Sequence, residues 1–474
     1  MSTFAIHLRV QQIGRMLALV ALAGVAAPAL ADDAERLEAD LRSLFGEHGE
    51  VEIGEVSSAL LRSRVTAEEV VFRGEEGERL SIARYVVSGD YDSPDEVTLE
   101  GVRLEDDLSE LALVEVERIV LGEPSRAVFP LDDSLAPQDV RIGSLAIDDI
   151  TLDLASELAE KLFHDASLDD AQGRMTIARV RGESLSHEAI GSLEITDVAG
   201  TGENLGDVGA GSFSLAALAF EGLTGIDREG EERLEAFELR DFTVDSDRLV
   251  GGLERLSVDG DFTDGEGGVR LEAFHADLAR MIELAPEEER AQLRMASNAL
   301  TDGSGELRLD AAFLGSWEAS DDHSLITSDS QVAVHDALRL LLDVSLPMVL
   351  PDGVAPEAVF MDDELLEGAM LLGGEIHLTL AEQGLFGRLA TLGAAKEGIS
   401  EAQYLEQAKT QAEGFGMMFG PEVQQFFLGL VALAEGTAEE VELTITLPAE
   451  SKVATYTDDP LALSDKLSLS VETR

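Results

Sequence analysis

One eight-residue phrase recurs along this chain and limits what the chain can fold into. It stands at residues 143–150, 191–198 and 211–218, and each copy begins with Gly-Ser. Within each copy apolar and polar residues alternate, which is the period of a β-strand with one buried face. The apolar series then slips by one residue, which a strand accommodates by a bulge, a turn or a change of face. Looser copies lie at residues 80–85, 97–102, 237–242 and 256–262.

A single strand of this kind cannot bury its apolar side alone, so the recurrence predicts many neighbouring strands. We expect an α+β fold that is predominantly β, built on an extended, twisted antiparallel sheet of repeated strands. The C-terminal part adds a helical hairpin. Ser400 and Gln403 form a capping box that opens its first helix, which runs to Phe419. Pro421 opens the second helix and Gly436 closes it.

The pattern divides the chain into four regions. Residues 1–31 form a signal peptide, and 32–137 a region with an N-terminal helix followed by strands. Residues 138–330 form a repeated-strand β domain, and 331–474 a C-terminal α+β region that contains the hairpin. Local spacing further predicts helices over 32–45, 155–163 and 276–300, and a strand running into a helix over 332–342.

The N-terminus has the features of an export signal. Arg9 and Arg15 precede an apolar run over residues 16–27, and Ala29-Leu30-Ala31 fits the small-x-small rule for signal peptidase. We expect cleavage after Ala31 and a periplasmic or secreted protein. The chain contains no cysteine, which excludes disulfides and an N-terminal lipid-modified cysteine.

The charge of the chain is strongly negative. The formal net charge is -61, and the acidic residues are spread evenly rather than gathered in one tail. Such a surface is typical of a protein folded in high external salt, because solvated carboxylates keep it soluble while salt screens their repulsion. A surface loaded with calcium is the alternative. Nucleic acid is excluded as a ligand, since Lys and Arg do not cluster.

No motif for catalysis or for metal binding stands out. The chain has no H-E-x-x-H, no G-x-S-x-G and no S-x-x-K, and we expect no enzyme, no cofactor and no metal site. Residues 259–266 resemble a calcium loop, but the glycine comes one place late and Arg270 occupies the twelfth position. We therefore interpret 259–266, like 302–306, as a turn. The mature histidines are His48, His164, His187, His275, His323, His335 and His377.

The hairpin carries the one unusual surface of the sequence. Its helices present aromatic, methionine and glycine residues on more than one side. One interpretation is that this surface is an apolar stripe that packs on the sheet. The other is an apolar groove or lid for an acyl chain or a protein partner. The residues of this predicted surface are Phe415, Met418, Phe419, Phe426 and Phe427.

The repeated phrases at 143–150, 191–198, 211–218 and 237–242 resemble those of proteobacterial periplasmic proteins built from repeated strands. One such group is AsmA-like, and its members form long β-grooves associated with lipid transport and outer-membrane maintenance. A family of unknown function with a strand-rich body and a C-terminal helical hairpin is similar too. The resemblance covers the middle of the chain, and it carries over no individual site residue.

Three hypotheses about function follow. The first is a non-enzymatic periplasmic protein that presents an apolar β-groove to a lipid or another envelope protein. The second is a structural or adaptor module of the cell envelope that binds no small molecule. The third is a divalent-metal-dependent hydrolase. The first two differ in whether the apolar side of the strands meets other protein or stays open.

Overall fold

A computed structural model describes most of the chain beyond the expected signal peptide, which itself lies outside the described residues. Contacts group the chain into two compact units, Met1–Arg248 and Leu249–Arg474, here called the N-terminal and C-terminal units. The described ranges are 33–43, 49–59, 63–74, 78–106, 112–129, 137–155, 172–203, 209–228, 232–320, 322–360, 364–452 and 467–474.

The N-terminal unit is a helix followed by an antiparallel sheet. Helix α1 spans Asp33–Arg42. From the third strand to the eleventh, each strand pairs antiparallel with the next one along the chain, and the first two strands both pair with the third. The strands are β1 Gly49–Glu52, β2 Glu55–Ala59, β3 Arg64–Gly74, β4 Glu78–Asp90, β5 Ser93–Asp106, β6 Val114–Pro124, β7 Arg141–Asp153, β8 Gln172–Ser186, β9 Ala189–Glu203, β10 Gly211–Thr224 and β11 Ala236–Ser246.

Apolar side chains from successive strands of this unit form one closed core. Six large side chains in one row across the sheet are each at most 5% exposed, and helix α1 adds Leu37 and Leu41, which are fully buried. Full burial of such a side chain stabilises the fold by roughly 1.5–3 kcal/mol. The large members of the row are Val87, Val97, Leu121, Leu145, Leu193 and Phe220.

Polar contacts at the rim of this core hold helix α1 in place. The Tyr91 hydroxyl donates a hydrogen bond to Asp40 Oδ2 at 2.7 Å, and the Arg36 guanidinium lies 4.5 Å above the Tyr91 ring. Burial, followed by the nearby Asp40 charge, raises the pKa of Tyr91 far above its ordinary value. The hydroxyl therefore stays protonated and keeps donating to Asp40 at every physiological pH.

In the copies at 143–150 and 191–198, the slip corresponds to a left-handed residue that belongs to a row of such residues across the sheet. In strand β7, Asp148 pairs with Arg179 and Ile150 with Ile177, while Asp149 between them is unpaired and has φ 53°. Residues in this conformation interrupt the alternation, so Asp148 and Asp149 both point away from the core. We call this the kink row, and its left-handed residues are Glu69, Gly101, Asp149, Asp197 and Asp241.

A second break explains the glycine that opens the first two copies of the phrase, Gly143 and Gly191. Gly143 lies beside Glu123 and Gly191 beside Ser184, and Glu123 and Ser184 are left-handed, with φ 46° and 55°. A Cβ added at Gly191 would lie 2.9 Å from Ser184 Cβ and 3.0 Å from the Glu183 carbonyl oxygen. The glycine is thus needed for the close approach of the neighbouring strand rather than for its own conformation.

We expect the substitution Gly191→Val to destabilise the protein by about 1–2 kcal/mol, because the added side chain overlaps Ser184. Ala199→Val is the matched control, since Ala199 is exposed on the same strand and a β-branched side chain suits that position. The measurement is urea denaturation followed by circular dichroism. Equal unfolding midpoints for the two variants would contradict this account of the glycine.

The C-terminal unit is also an antiparallel sheet, with helices inserted between its strands. Its strands are β12 Val250–Asp259, β13 Glu266–Asp277, β14 Glu306–Ala319, β15 Ser324–Val334, β16 Leu338–Val349, β17 Met370–Leu372, β18 Glu375–Glu382, β19 Glu440–Thr446, β20 Ala449–Lys452 and β21 Ser468–Thr473. The main ladder runs β12, β13, β14, β15, β16, β18, β19, β21, and β17 pairs with β16 and β20. The helices are α2 Leu278–Leu284, α3 Glu287–Thr301, α4 Glu364–Glu367, α5 Leu385–Glu397, α6 Glu401–Phe419 and α7 Pro421–Ala434.

The expected fold class is confirmed: the described chain is α+β, predominantly β, with antiparallel strands in sequence order and a C-terminal helical hairpin. The Ser400–Gln403 capping box and Pro421 at the start of α7 are present as expected. The helix expected over 155–163 lies outside the described residues except for Ala155. The expected region boundary after residue 330 falls inside β15, whereas the contacts divide the chain after Arg248.

One expected element is wrong. Residues 332–342 do not run from a strand into a helix, because β15 ends at Val334 and β16 starts at Leu338. A turn joins them, with Asp336 at φ 62°. The leucines of β16 satisfy both a helical and a strand period, and pairing with β15 on one side and β18 on the other decides for the strand.

Candidate apolar ligand site

One side of the C-terminal sheet presents apolar residues that no core covers fully. Phe313 on β14 is 53% exposed, and its neighbour across the ladder, Val269 on β13, is 37% exposed. The same row continues across the sheet through half-buried leucines. We call the row the open face, and it consists of Val258, Val269, Phe313, Leu342, Leu378 and Leu443.

The row next to the open face is apolar too, and neither row contains a charged residue. The adjacent row has Leu256, Leu271 and Val332, followed by Leu340. Ser330, the one polar residue between Phe313 and Leu342, is buried, and its Oγ lies 3.0 Å from Ser328 Oγ. Neighbouring strands lie about 4.8 Å apart, so the open face is roughly 29 Å long.

The opposite side of the same sheet is polar. Asp329, Asp343 and His377 follow one another in a single row, and Thr327 pairs with Ser316 beside them. A groove of about 510 Å³ lies on this side, near Asp329 and Asp343. The two sides of the sheet therefore offer different chemistry, and only the open face suits an apolar ligand.

Protein covers the apolar side on both flanks of the open face. On one flank Phe262 stacks on Phe360 with 4.2 Å between ring centroids, and the Trp317 indole donates a hydrogen bond to the Phe262 carbonyl oxygen. Phe262 and Phe360 belong to the 3-10 turns Phe262–Asp264 and Pro356–Phe360, and Trp317 belongs to strand β14. On the other flank Phe426 and Leu430 pack over strands β18 and β19.

The predicted hairpin surface separates into parts with different surroundings. Phe415 on α6 stacks on Phe427 on α7, with ring centroids 4.9 Å apart, and Phe419 lies 6.4 Å from Phe415. Phe426 turns the other way and packs on the sheet beside Val441. The structure thus brings Phe415, Phe419 and Phe427 together, and it uses Phe426 to fix the hairpin to the sheet.

A cleft lies between helices α5, α6 and α7. It has a volume of about 290 Å³ and an apolar lining. Leu389 and Ala390 come from α5, Phe415 from α6, and Phe427 and Leu430 from α7. Helix α7 packs on the sheet with one side and lines this cleft with the other.

Met418 belongs neither to the cleft nor to the open face. It is 73% exposed at the end of α6, and its neighbour Met417 is 87% exposed. Among the described residues, no helix has the length and the apolar content that crossing a bilayer requires. Both methionines lie in the last turn of α6.

Four of the described histidines, His187, His323, His335 and His377, each lie next to a single carboxylate. His275 instead has its Nδ1 3.5 Å from the Ala273 carbonyl oxygen. His335 Nε2 lies 2.5 Å from Asp310 Oδ2, and Asp310 also accepts a hydrogen bond from the Ala273 N–H at the bulge of β13. The hydrogen bond from His335, and next the one from Ala273, lower the pKa of Asp310. Within the described ranges no three His, Asp or Glu residues gather into a metal-binding group.

The acidic loop at 259–266 is a turn. It joins β12 to β13 through the 3-10 turn Phe262–Asp264, and Asp261 accepts a hydrogen bond from the Thr263 N–H at 3.0 Å. Its side chains cap their own backbone, as aspartate commonly does in turns. His48 and His164 lie outside the described residues.

Comparison with known proteins adds no assignment. No family model matches this chain, and no curated protein matches its sequence. The resemblance to AsmA-like proteins therefore stays a prediction.

The open face was missed by reasoning from the sequence. Its signal was the alternation of Leu307, Leu309, Ala311 and Phe313, which predicts a strand with one apolar side. The same alternation occurs in strands of the N-terminal core. The pattern therefore predicts which side of a strand is apolar, but not whether other parts of the protein cover that side.

Proposed function

We propose that the protein is a non-enzymatic periplasmic envelope protein that binds the acyl chain of a lipid along the open face. The observation that carries the proposal is the exposure of Phe313 and Val269 in the middle of an uncharged apolar row. A row roughly 29 Å long matches an extended acyl chain better than a compact ligand. Covering it would remove from water apolar surface that the fold itself leaves exposed.

The chemistry of the face favours an acyl chain over a polypeptide. The open face lies on central strands whose backbone groups are already paired with both neighbours. Ser330, the one polar side chain within the row, is buried and hydrogen-bonded to Ser328. A polypeptide lying on it would bury unsatisfied N–H and C=O groups, at about 1–3 kcal/mol each, whereas an acyl chain has none to satisfy.

The test is titration of delipidated protein with a fluorescent fatty acid. We expect Phe313→Asp to weaken binding at least about tenfold, because a charge would be buried beneath the chain. Ser345→Asp is the matched control, since Ser345 is exposed on the polar side of strand β16 and the added charge is the same. No uptake by the unchanged protein, or equal uptake by both variants, would reject the proposal.

A second candidate is the structural or adaptor module of the envelope. The observation in its favour is the closed core of the N-terminal unit, which leaves no apolar row open among Val97, Leu121 and Leu145. The surface of such a module is acidic, with a net charge of -61 for the chain. Crosslinking in the envelope fraction that captures one protein partner, together with an absence of bound lipid, would favour this candidate.

A further inference from the structure

The end of the helical hairpin exposes apolar side chains to solvent. Met417 is 87% exposed and Met418 73%, at the last turn of α6, and Phe415 one turn earlier is 40% exposed. We call these three residues the tip. Methionine side chains are flexible and polarisable, and soluble proteins seldom leave two neighbouring ones so exposed without a partner.

The tip is held rigidly from behind. Phe415 stacks on Phe427, and the Gly420 N–H donates to the Gly416 carbonyl oxygen at 2.9 Å, which ends α6. A Cβ added at Gly416 would lie 2.5 Å from Gln424 Cβ, so the two helices approach closely just behind the methionines. The apolar end is therefore a fixed projection of the fold.

The tip carries no charge of its own, and the nearest charges along the chain are acidic. Glu413 precedes it and Glu422 follows it. Lys409, one and a half turns before Phe415, is engaged by Glu435 at 2.6 Å and by Glu406 at 3.4 Å. Helices α6 and α7 contain no cation other than Lys409, so among the described residues of the hairpin none is available to attract an anionic surface, and the flanking acids repel one.

We propose that the tip inserts into the interfacial layer of a lipid bilayer whose surface is zwitterionic. Three side chains expose only a few hundred Å² of surface, less than the roughly 800 Å² per partner of a stable protein interface. A bilayer needs no matching surface and takes up projecting apolar side chains directly. The surrounding charge excludes strongly anionic lipid as the preferred partner.

The experiment is flotation of the full mature chain with phosphatidylcholine vesicles. We expect the double variant M417S/M418S to lower partitioning at least about tenfold, because it removes the apolar surface that the bilayer buries. Met295→Ser is the matched control, since Met295 is also exposed but lies on α3, away from the hairpin end. Molar salt should leave binding unchanged, and vesicles of equimolar phosphatidylcholine and phosphatidylglycerol should bind less.

Three results would overturn the proposal. The first is that the unchanged protein does not float with the vesicles. The second is that M417S/M418S floats to the same extent as the unchanged protein. The third is a dimer in solution that M417S/M418S disperses, which would assign the tip to self-association. Fatty acid uptake by M417S/M418S in solution should equal that of the unchanged protein, so failure here is distinguishable from failure of the proposed acyl-chain site.

Discussion

Replacing Phe220 with alanine should destabilise the protein by about 3–5 kcal/mol, whereas the same change at Phe313 should cost about 1 kcal/mol or less. Both residues are phenylalanines on central strands of antiparallel sheets, β10 and β14. Phe220 is 5% exposed within the closed core of the N-terminal unit. Phe313 is 53% exposed, so its removal leaves no cavity and returns little apolar surface to water.

The free energies of unfolding are to be compared by urea denaturation, followed by far-UV circular dichroism. The matched pair separates burial from residue type, because both variants lose the same atoms. Similar losses for Phe220→Ala and Phe313→Ala would mean that protein covers Phe313 in solution, and the open face would then be closed. Phe313→Ala should still weaken fatty acid binding, since it removes part of the proposed contact surface.

Gly429→Ala should destabilise the C-terminal unit by about 1–3 kcal/mol, although alanine is a better helix former than glycine. Gly429 is buried where helix α7 crosses the sheet. A Cβ there would lie 2.9 Å from Thr473 Oγ1 and 2.9 Å from Val441 Cγ2. Both atoms belong to β-branched side chains on the paired strands β21 and β19, and such side chains have few alternative χ1 rotamers.

Gly414→Ala is the control for this prediction. Gly414 lies in helix α6, and a Cβ there would meet no atom within 4 Å. That change should stabilise the protein by about 0.5–1 kcal/mol through helix propensity alone. Thermal unfolding by circular dichroism and hydrogen exchange in α7 provide the measurement. Stabilisation by both changes would show that α7 does not pack as closely on the sheet.

Local chemistry made the hairpin predictable from the sequence. The Ser400 side chain accepts from the Gln403 N–H, and the Gln403 side chain accepts in return from the Ser400 N–H, as the sequence pattern indicated. Pro421 starts α7 because it needs no hydrogen-bonded N–H at that position. These signals depend on a few neighbouring residues, so they can be interpreted without knowledge of the rest of the fold.

Signals that depend on distant strands could not be interpreted in this way. Leu338 to Leu342 fit both a helix and a strand, and their pairing partners, β15 and β18, decide between the two. Phe220 and Phe313 have the same alternating surroundings in the sequence but very different exposure. The residues that pack on the apolar side of a strand come from elsewhere in the chain, and the local pattern does not predict them.

The sequence singled out residues of the hairpin but not those of the open face, which is the candidate ligand site. Phe415, Phe419 and Phe427 lie together as a surface predicted from composition should, and Met418 is exposed beside them. Phe426 points to the sheet, because successive helical residues are about 100° apart and only one of the pair Phe426 and Phe427 can face α6. A cluster of aromatic residues in the sequence thus indicated the region, but not the direction in which each side chain points.

Strand order in the N-terminal unit has a consequence for how the chain acquires its structure. From β3 to β11 every ladder joins strands adjacent in the sequence, so each pairing closes only the connection to the next strand, the longest of which joins Asp153 to Gln172. Contact order within this stretch is therefore low. Each hairpin can dock on the strand before it as the chain emerges, from the N-terminus onwards. Gain or loss of one hairpin would leave every other ladder in register, so this architecture tolerates change in its length.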